Sequence, residues 1–108
     1  MGATSRRKGR RWENEVVDYL NAHGFPSAER NEYINAQAGD ILGIPGWSLE
    51  CKNGARLELA GWVDQARIQA VTAGSPWYAV IAKRKGAPDP GAAYVVTQLA
   101  PFAEFLAE

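Results

Sequence analysis

The amino-acid sequence predicts a small α/β domain in which a mixed β-sheet is flanked by helices. Amphipathic helical patterns alternate with short runs of β-branched and aromatic residues, in the order helix, strands, helix, strands, helix. The chain has 108 residues, 46% hydrophobic and 22% charged, which suits one folded core and is too short for two. We find no internal repeat, no low-complexity segment and no interdomain linker in it.

The first helix is predicted over residues 12–22 by an apolar stripe at helical spacing. The stripe consists of Trp12, Val16, Val17 and Leu20. Gly24 follows as a left-handed cap, and Pro26 prevents the helix from continuing. Residues 27–34 have a weak edge-strand pattern. Residues 41–42 and 47–52 form two short strands joined through Pro45-Gly46, a favourable turn pair.

The second half of the chain predicts a helix, two strands and a closing helix. Residues 59–73 have an apolar side at helical spacing, and Gly74 and Pro76 stop this helix. Residues 77–82 are almost entirely apolar, which indicates a central strand, and residues 93–97 form another strand. A short helix is predicted over residues 101–106, with its proline in the first turn.

The positive charges are unevenly distributed, although 12 Lys+Arg balance 12 Asp+Glu. Residues 6–11 hold five cations and residues 83–85 hold three, eight of the 12 together. The zero net charge argues against a protein that coats nucleic acid by bulk charge, whereas local clusters fit phosphate contacts around an acidic centre. For each cluster alone, a solvated surface is an equally good interpretation. We predict that residues 1–11 are a flexible basic arm ahead of a single domain over residues 12–108.

The cysteine count and the hydropathy indicate the compartment. Cys51 is the single cysteine, which excludes an intramolecular disulfide and fits a reducing cytoplasm. No apolar run approaches the about 18 residues of a transmembrane helix, so no membrane partner is expected. The basic N-terminus is not followed by the apolar stretch of a secretory signal. We therefore predict a cytoplasmic protein.

Two glutamates, Glu13 and Glu50, are candidate functional residues because of where they fall in the predicted elements. Glu13 falls inside the apolar stripe of the first helix, and burial there is costly unless the carboxylate is paired or binds a metal. Strand alternation places Glu50 and Lys52 together on one face, opposite Leu49 and Cys51. Each has an ordinary alternative: Glu13 could pair with an arginine at the edge of the stripe, and Glu50 and Lys52 could form an exposed ion pair.

Asp40 begins the strand that precedes this Glu-x-Lys strand. A two-residue hairpin at Pro45-Gly46 would place Asp40 opposite Cys51, on the wrong face. Asp40 and Glu50 share a face only if the loop has odd length or the strand carries a bulge, and we predict such an irregularity. An ordinary turn aspartate that caps a strand is the alternative.

The combination is more specific than its parts. Asp40, nine intervening residues and Glu50-Cys51-Lys52, with Glu13 upstream, resemble the PD-(D/E)XK nuclease superfamily. Residues 8–13, KGRRWE, look like the KGxxxE motif of archaeal-type Holliday junction resolvases, including bacteriophage-encoded relatives. The resemblance extends over residues 8–106, and its further matches are Gly24-Phe25, Arg30, Asp64-Gln65-Ala66 and Lys83-Arg84.

The resemblance implies a restriction-endonuclease-like fold and a Mg²⁺- or Mn²⁺-dependent endonuclease of branched DNA. It implies the resolution of four-way (Holliday) junctions in the cytoplasm of a bacterial cell or a phage-infected host. Two symmetric cuts need two active sites and a chain of this size supplies one, so we predict a homodimer. The implied metal ligands are Asp40, Glu50, the backbone carbonyl of Cys51 and, directly or through water, Glu13.

The resemblance also assigns roles to side chains that do not hold metal. Lys52 would orient the attacking water and stabilise charge on the phosphate, and Gln65 would position water or DNA. The implied contacts to DNA phosphates are Arg6, Arg7, Lys8, Arg10, Arg11, Arg30, Lys83, Arg84 and Lys85.

The chain departs from the motif at two places. Gly39 stands where the motif has proline, and residues 35–38 replace a Gly/Ser-rich loop of many archaeal members. That loop helps to engage the junction, so nuclease chemistry is implied more firmly than junction specificity. The alternatives are a PD-(D/E)XK nuclease of restriction-like, flap or repair specificity, a non-catalytic DNA-binding or assembly module, and a purely structural α/β domain. Trp47, at a turn, is a candidate for stacking on a base or a partner, with core packing as its alternative.

Overall fold

Three helices and five strands make up the computed structural model, which describes residues 3–32 and 39–108. The elements in chain order are α1 (Ala3–Ala22), β1 (Glu29–Arg30), β2 (Ile41–Leu42), β3 (Trp47–Lys52), α2 (Leu59–Ala73), β4 (Trp77–Ala82), β5 (Tyr94–Val96) and α3 (Leu99–Leu106). The sheet order is β1-β2-β3-β4-β5; β3 and β4 are parallel, and the other neighbours are antiparallel. The predicted α/β class with a mixed sheet is confirmed.

Helix α1 covers one face of the sheet with its apolar stripe. Trp12 and Val16 are buried against Ile41, Leu49 and Ile81, which belong to β2, β3 and β4. The Trp12 side chain is 1% exposed, and its indole N–H donates a hydrogen bond to the Ile81 carbonyl at 3.1 Å. The stripe therefore fixes the middle of α1 directly over the strands that carry the candidate site.

Helix α2 covers the opposite face, so that the two faces of the central strands are both buried. Its buried residues Val63, Ala66 and Ala70 pack against Val80 and other residues of β4. In β3, Leu49 and Cys51 pack on the α1 side. Glu50 is paired with Val80 of the α2-side cluster, so it faces α2. The predicted alternation of β3 is confirmed.

Most element boundaries agree with the sequence prediction, but the start of α1 does not. The helix begins at Ala3, so the prediction of an arm outside the first helix is wrong over residues 3–11. Alanine, arginine and lysine are good helix formers, and Gly9 alone does not stop a helix that the packed stripe has already nucleated. The cations of residues 6–11 are therefore displayed on a helix.

Smaller differences occur near the C-terminal half and at the first edge strand. Within the described residues, the edge strand β1 is Glu29–Arg30, and residues 33–34 of the predicted strand lie outside them. Helix α3 begins at Leu99 rather than at residue 101. A 3-10 turn at Pro90–Ala92 was not predicted; its cap is Asp89, whose side chain accepts the Gly91 N–H at 2.9 Å. Of the described helices, none is sufficiently long and apolar to span a bilayer.

The predicted irregularity between β2 and β3 is present. Ile41 pairs with Leu49, while the N–H of Asp40 donates to the Leu49 carbonyl at 2.7 Å. Two consecutive residues therefore face one residue of β3, which is the arrangement of a β-bulge. This register moves Asp40 away from the position opposite Cys51 that a two-residue hairpin would give it.

Gly39 is buried where the chain approaches β3, and substitution there is expected to destabilise the fold. A Cβ at this position would lie 2.7 Å from the Leu49 carbonyl oxygen and 2.9 Å from the Ser48 Oγ. The backbone of β3 has little freedom to move away, so Gly39→Ala should cost about 1–3 kcal/mol of unfolding free energy, measured by urea denaturation. The same crowding excludes the proline that the motif carries here.

Gly61→Ala is the matched control for this substitution. Gly61 lies within α2, and a Cβ there would meet nothing within 4 Å. This variant should gain about 0.5–1 kcal/mol, because alanine favours a helix over glycine. A Gly39→Ala protein as stable as the wild type would contradict the packing described for this segment.

Candidate functional site

Asp40 is the centre of the candidate site because it is held by two neighbouring strands. Its Oδ2 accepts the Cys51 N–H at 2.8 Å, which fixes the carboxylate beside β3. The backbone of Gly39 and Asp40 is held by Asn31, which donates its backbone N–H to the Asp40 carbonyl and its side-chain amide to the Gly39 carbonyl, both at 2.9 Å. The Cys51 N–H therefore positions the Asp40 side chain, while Asn31 holds the backbone of the same residue.

Glu13 of α1 and Asp40 line one open cleft of about 490 Å³. The cations of this cleft are Arg6, Arg10 and Arg30. The Glu13 Oε1 lies 3.8 Å from the Arg30 Nη1, so the pair is at the outer limit of a salt bridge. Glu13 is half-buried and lines the same cleft as Asp40, and its role as a metal ligand stays a prediction.

Glu50 is the most buried of the three carboxylates, with 4% of its surface exposed. Burial raises its pKa to about 7; the negative charges of Asp40 and Glu13 add to the rise, and Lys52 opposes it. Because Asp40 acts on the pKa of both Glu50 and Glu13, the three carboxylates form one electrostatic group. The fold has removed each of them, wholly or in part, from water.

The pKa values of Glu13 and Asp40 are also raised, mainly by burial. Asp40 adds to the rise at Glu13, while Arg30 and Arg10 lower it. At Asp40, burial raises the pKa, whereas the hydrogen bond from the Cys51 N–H and the charge of Lys52 lower it. A set of desolvated acids whose pKa values shift together is typical of a functional site rather than of a solvated surface.

The chemistry of the donors fits a hard divalent cation. Carboxylate oxygens and a backbone carbonyl are the ligands that Mg²⁺ and Mn²⁺ prefer. Burial and the neighbouring acids raise the pKa of the Cys51 thiol, which keeps it protonated, and its side chain packs on the α1 side. Over residues 3–32 and 39–108, however, no three His, Cys, Asp or Glu side chains are grouped as a preformed metal site.

Lys52 and Gln65 stand together on the α2 side of the site. The Lys52 ammonium donates to the Gln65 Oε1 at 2.8 Å, and Lys52 opposes the pKa rise of both Asp40 and Glu50. The lysine of β3 is therefore held by an α2 side chain while its charge acts on the carboxylates. Asp40 is linked electrostatically to Glu13, Glu50 and Lys52, and Gln65 contacts Lys52; the roles assigned to these residues stay predictions.

The two basic clusters meet although they lie far apart in the chain. Arg7, Lys8 and Arg11 of α1 line a second cleft, of about 330 Å³, together with Lys83. The Lys83 ammonium lies 3.1 Å from Glu15 Oε1 and 5.2 Å from the centre of the Trp12 ring. The other cations of α1, Arg6 and Arg10, line the carboxylate cleft. Basic residues therefore flank α1 on both sides.

Several residues near the site were not found from the sequence. Asn31, Arg56 and Tyr94 carry no motif, and only the strand pairing and the loops that follow β3 and β4 bring them near the other site residues. Trp47 was a candidate for stacking, but its ring lies 5.7 Å from that of Trp77 and 5.2 Å from that of Phe105. Trp47 therefore takes the alternative that the sequence left open, core packing.

Comparison with protein-family models, with curated proteins and with solved structures finds no match. The resemblance to the nucleases is carried by the motif residues alone, and the segment 35–38, which departs from that resemblance, lies outside the described residues. The function of this chain is therefore inferred from the chemistry of its site.

Proposed function

We propose that this protein is a metal-dependent endonuclease of the PD-(D/E)XK type, with a restriction-endonuclease-like arrangement, that cleaves phosphodiester bonds of branched DNA. One observation carries the proposal: the half-buried Asp40, bonded to the Cys51 N–H at 2.8 Å, acts on the pKa of both Glu13 and the buried Glu50, beside Lys52. A structural domain gains no stability from three desolvated acids in one place, whereas phosphodiester cleavage requires such a site.

Asp40, Glu50 and the Cys51 carbonyl would hold Mg²⁺ or Mn²⁺, with Glu13 as a further direct or water-mediated ligand. When bound, such an ion supplies positive charge at the phosphate and lowers the pKa of the attacking water. Lys52 adds a second positive charge on the same side as Glu50 and orients the water. Gln65 holds the Lys52 ammonium through the 2.8 Å hydrogen bond and thereby positions it.

The cations on both sides of α1 support DNA as the partner. Arg6, Arg10 and Arg30 lie beside the carboxylates, while Arg7, Lys8, Arg11 and Lys83 lie in the second cleft. Contacts of arginine and lysine to phosphates position a duplex without reading its sequence. The four-way junction is proposed from the KGRRWE motif, and a homodimer from the need for two sites to make two symmetric cuts. The proposed compartment is the cytoplasm of a bacterial or phage-infected cell.

The decisive experiment compares a four-way junction, a flap and a linear duplex of matched sequence, with Mg²⁺ or Mn²⁺. Paired symmetric nicks on the junction alone are the expected result. Cleavage of the flap or the linear duplex instead would replace the junction by a flap, repair or restriction-like substrate. No cleavage of any of them, with wild type and Asp40→Asn binding DNA alike, would contradict the enzyme and leave a DNA-binding module.

We expect the cations of the second cleft to contribute measurably to the binding of DNA. The double variant Lys8→Gln/Arg11→Gln should bind a four-way junction more weakly and should reduce the slope of log K against log salt by about two, one for each phosphate contact. Fluorescence anisotropy over a salt series measures both quantities. Arg67→Gln is the matched control, because Arg67 is an exposed cation of α2 outside both clefts. Equal slopes for the double variant and the control would remove this surface from the binding site.

A further inference from the structure

A third cleft, of about 270 Å³, opens where the loops after β3 and β4 meet the edge strand β5. Its cations are Arg56, Lys83, Arg84 and Lys85, and its other large side chains are Leu57 and Tyr94. No acidic residue of the described chain lines it. Its volume lies below the about 300–1,000 Å³ of pockets for drug-sized ligands, which suits a planar group held at the surface.

Tyr94 is the unusual member of this cleft, because 45% of this large aromatic residue is exposed. Leu57, 55% exposed, adds a second apolar surface beside it. Exposed apolar groups among cations and without acids do not fit a protein partner's apolar surface. They fit an anionic ligand that also carries a flat apolar face, and a nucleotide has both properties.

The strand register connects Tyr94 to the candidate active site. Lys52 is paired with Ala82 in the parallel ladder, and Ala82 is paired with Tyr94 in the antiparallel ladder. Directly paired residues project from the same face of a sheet, so Tyr94 and Lys52 share the α2 side, two strands apart. Two strand spacings are about 10 Å, a distance that a nucleotide next to the reacting phosphate covers.

Lys83 connects the third cleft with the cleft beside α1. Its N–H donates to the Lys52 carbonyl at 2.9 Å, and its side chain lines both this cleft and the cleft beside α1. The third cleft is therefore a continuation of the basic surface that begins at α1 and passes the end of β3. A DNA strand that follows this basic surface would lead from the active site to Tyr94.

We propose that Tyr94 stacks on an unpaired base next to the cleaved phosphodiester, while Arg56, Arg84 and Lys85 contact the flanking phosphates. This inference rests on the proposed nuclease function and specifies its substrate: DNA in which a nucleotide beside the cut is unstacked, as at a branch point or gap. A continuous duplex keeps every base stacked and offers none to Tyr94.

The test compares binding to a gapped duplex and to a continuous duplex of matched sequence, with Ca²⁺ in place of Mg²⁺. The quantity is the selectivity ratio, the Kd for the continuous duplex divided by the Kd for the gapped one. Tyr94→Leu should lower this ratio about tenfold, because it removes one aromatic–base stack. Tyr94→Phe should keep it. Arg84→Gln, the matched cleft control, should weaken binding to both substrates and leave the ratio unchanged.

A 2-aminopurine base at the unpaired position supplies a second readout, which does not depend on comparing dissociation constants. Binding to the wild-type protein should quench its fluorescence, since stacking on an aromatic ring does so, and Tyr94→Phe should quench it equally. Absence of quenching by the wild type, or a Tyr94→Leu ratio equal to that of the wild type, would overturn the proposal. Both readouts measure binding, so the two failures are distinguishable: a nuclease that lacks the selectivity contradicts this inference alone, whereas a protein that has the selectivity but does not cleave contradicts the proposed function and keeps the contact of Tyr94 with a base.

Discussion

Asp40→Asn is expected to reduce metal-dependent cleavage of a four-way junction by about a thousandfold or more. The amide keeps the shape of the side chain and can still accept the Cys51 N–H, but it removes the negative charge between Glu13 and Glu50. Metal ions supply several kcal/mol to phosphodiester cleavage, and three powers of ten correspond to about 4 kcal/mol. Initial rates at saturating Mg²⁺ measure the loss.

Two controls separate this chemical effect from a structural one. Asp18→Asn changes an exposed carboxylate of the same helix that carries Glu13, and it should leave the rate unchanged. Asp40→Asn should itself remain folded and bind the junction, because burial already raises the pKa of Asp40 and a neutral side chain suits this environment. Cleavage by Asp40→Asn within tenfold of the wild-type rate would mean that the catalytic centre lies elsewhere.

Glu50→Gln should stabilise the metal-free protein at pH 8 by about 3 kcal/mol, while it abolishes cleavage. The pKa of Glu50 is raised from about 4.5 to about 7 in the folded state, so the folded protein binds this proton more tightly than the unfolded chain does. The stabilising contribution of the protonated form is complete below pH 4.5 and is lost as the pH rises through 7. Glutamine has no charge to bury, so the variant escapes this loss.

The measurement is urea denaturation in EDTA between pH 5 and pH 8. The wild type should lose stability over this interval, and Glu50→Gln should lose clearly less. Glu104→Gln, at an exposed position of α3, is the control and should follow the wild type. Addition of Mg²⁺ should stabilise the wild type at pH 8 more than the variant, since a ligand that binds the folded state alone raises its stability. A variant less stable than the wild type at pH 8 would show that the Glu50 charge is well compensated in the fold.

These two expectations have one cause. Burial raises the pKa values of these carboxylates more than Arg10, Arg30 and Lys52 lower them, and a ligand with positive charge would relieve the remaining repulsion. The zero net charge of the chain conceals this arrangement, because acids are concentrated at the site and cations are concentrated around it. The metal-free protein would then be less stable at neutral pH because its site is arranged to bind a cation.

The elements with local signals were predicted from the sequence alone. The strand at 47–52, the helix at 59–73 and the strand at 77–82 agree with the structure, because alternation, helical spacing and the stops at Gly74 and Pro76 are properties of neighbouring residues. The shared face of Glu50 and Lys52 follows from the same period of two. The candidate acids, with Lys52 and Gln65, are likewise identified by sequence patterns and by the motif that they resemble.

Tertiary structure decided how those residues meet. The register of Ile41 on Leu49, which brings Asp40 beside β3, depends on a loop whose geometry the sequence only limits. Helix α1 extends back to Ala3 because packing of its middle supports its N-terminal turns. The contact of Lys83 with Glu15 and the alignment of Tyr94 with Lys52 depend on β4, which pairs with β3 on one edge and β5 on the other. Local patterns depend on adjacent residues, whereas the active-site geometry depends on contacts between residues far apart in the chain.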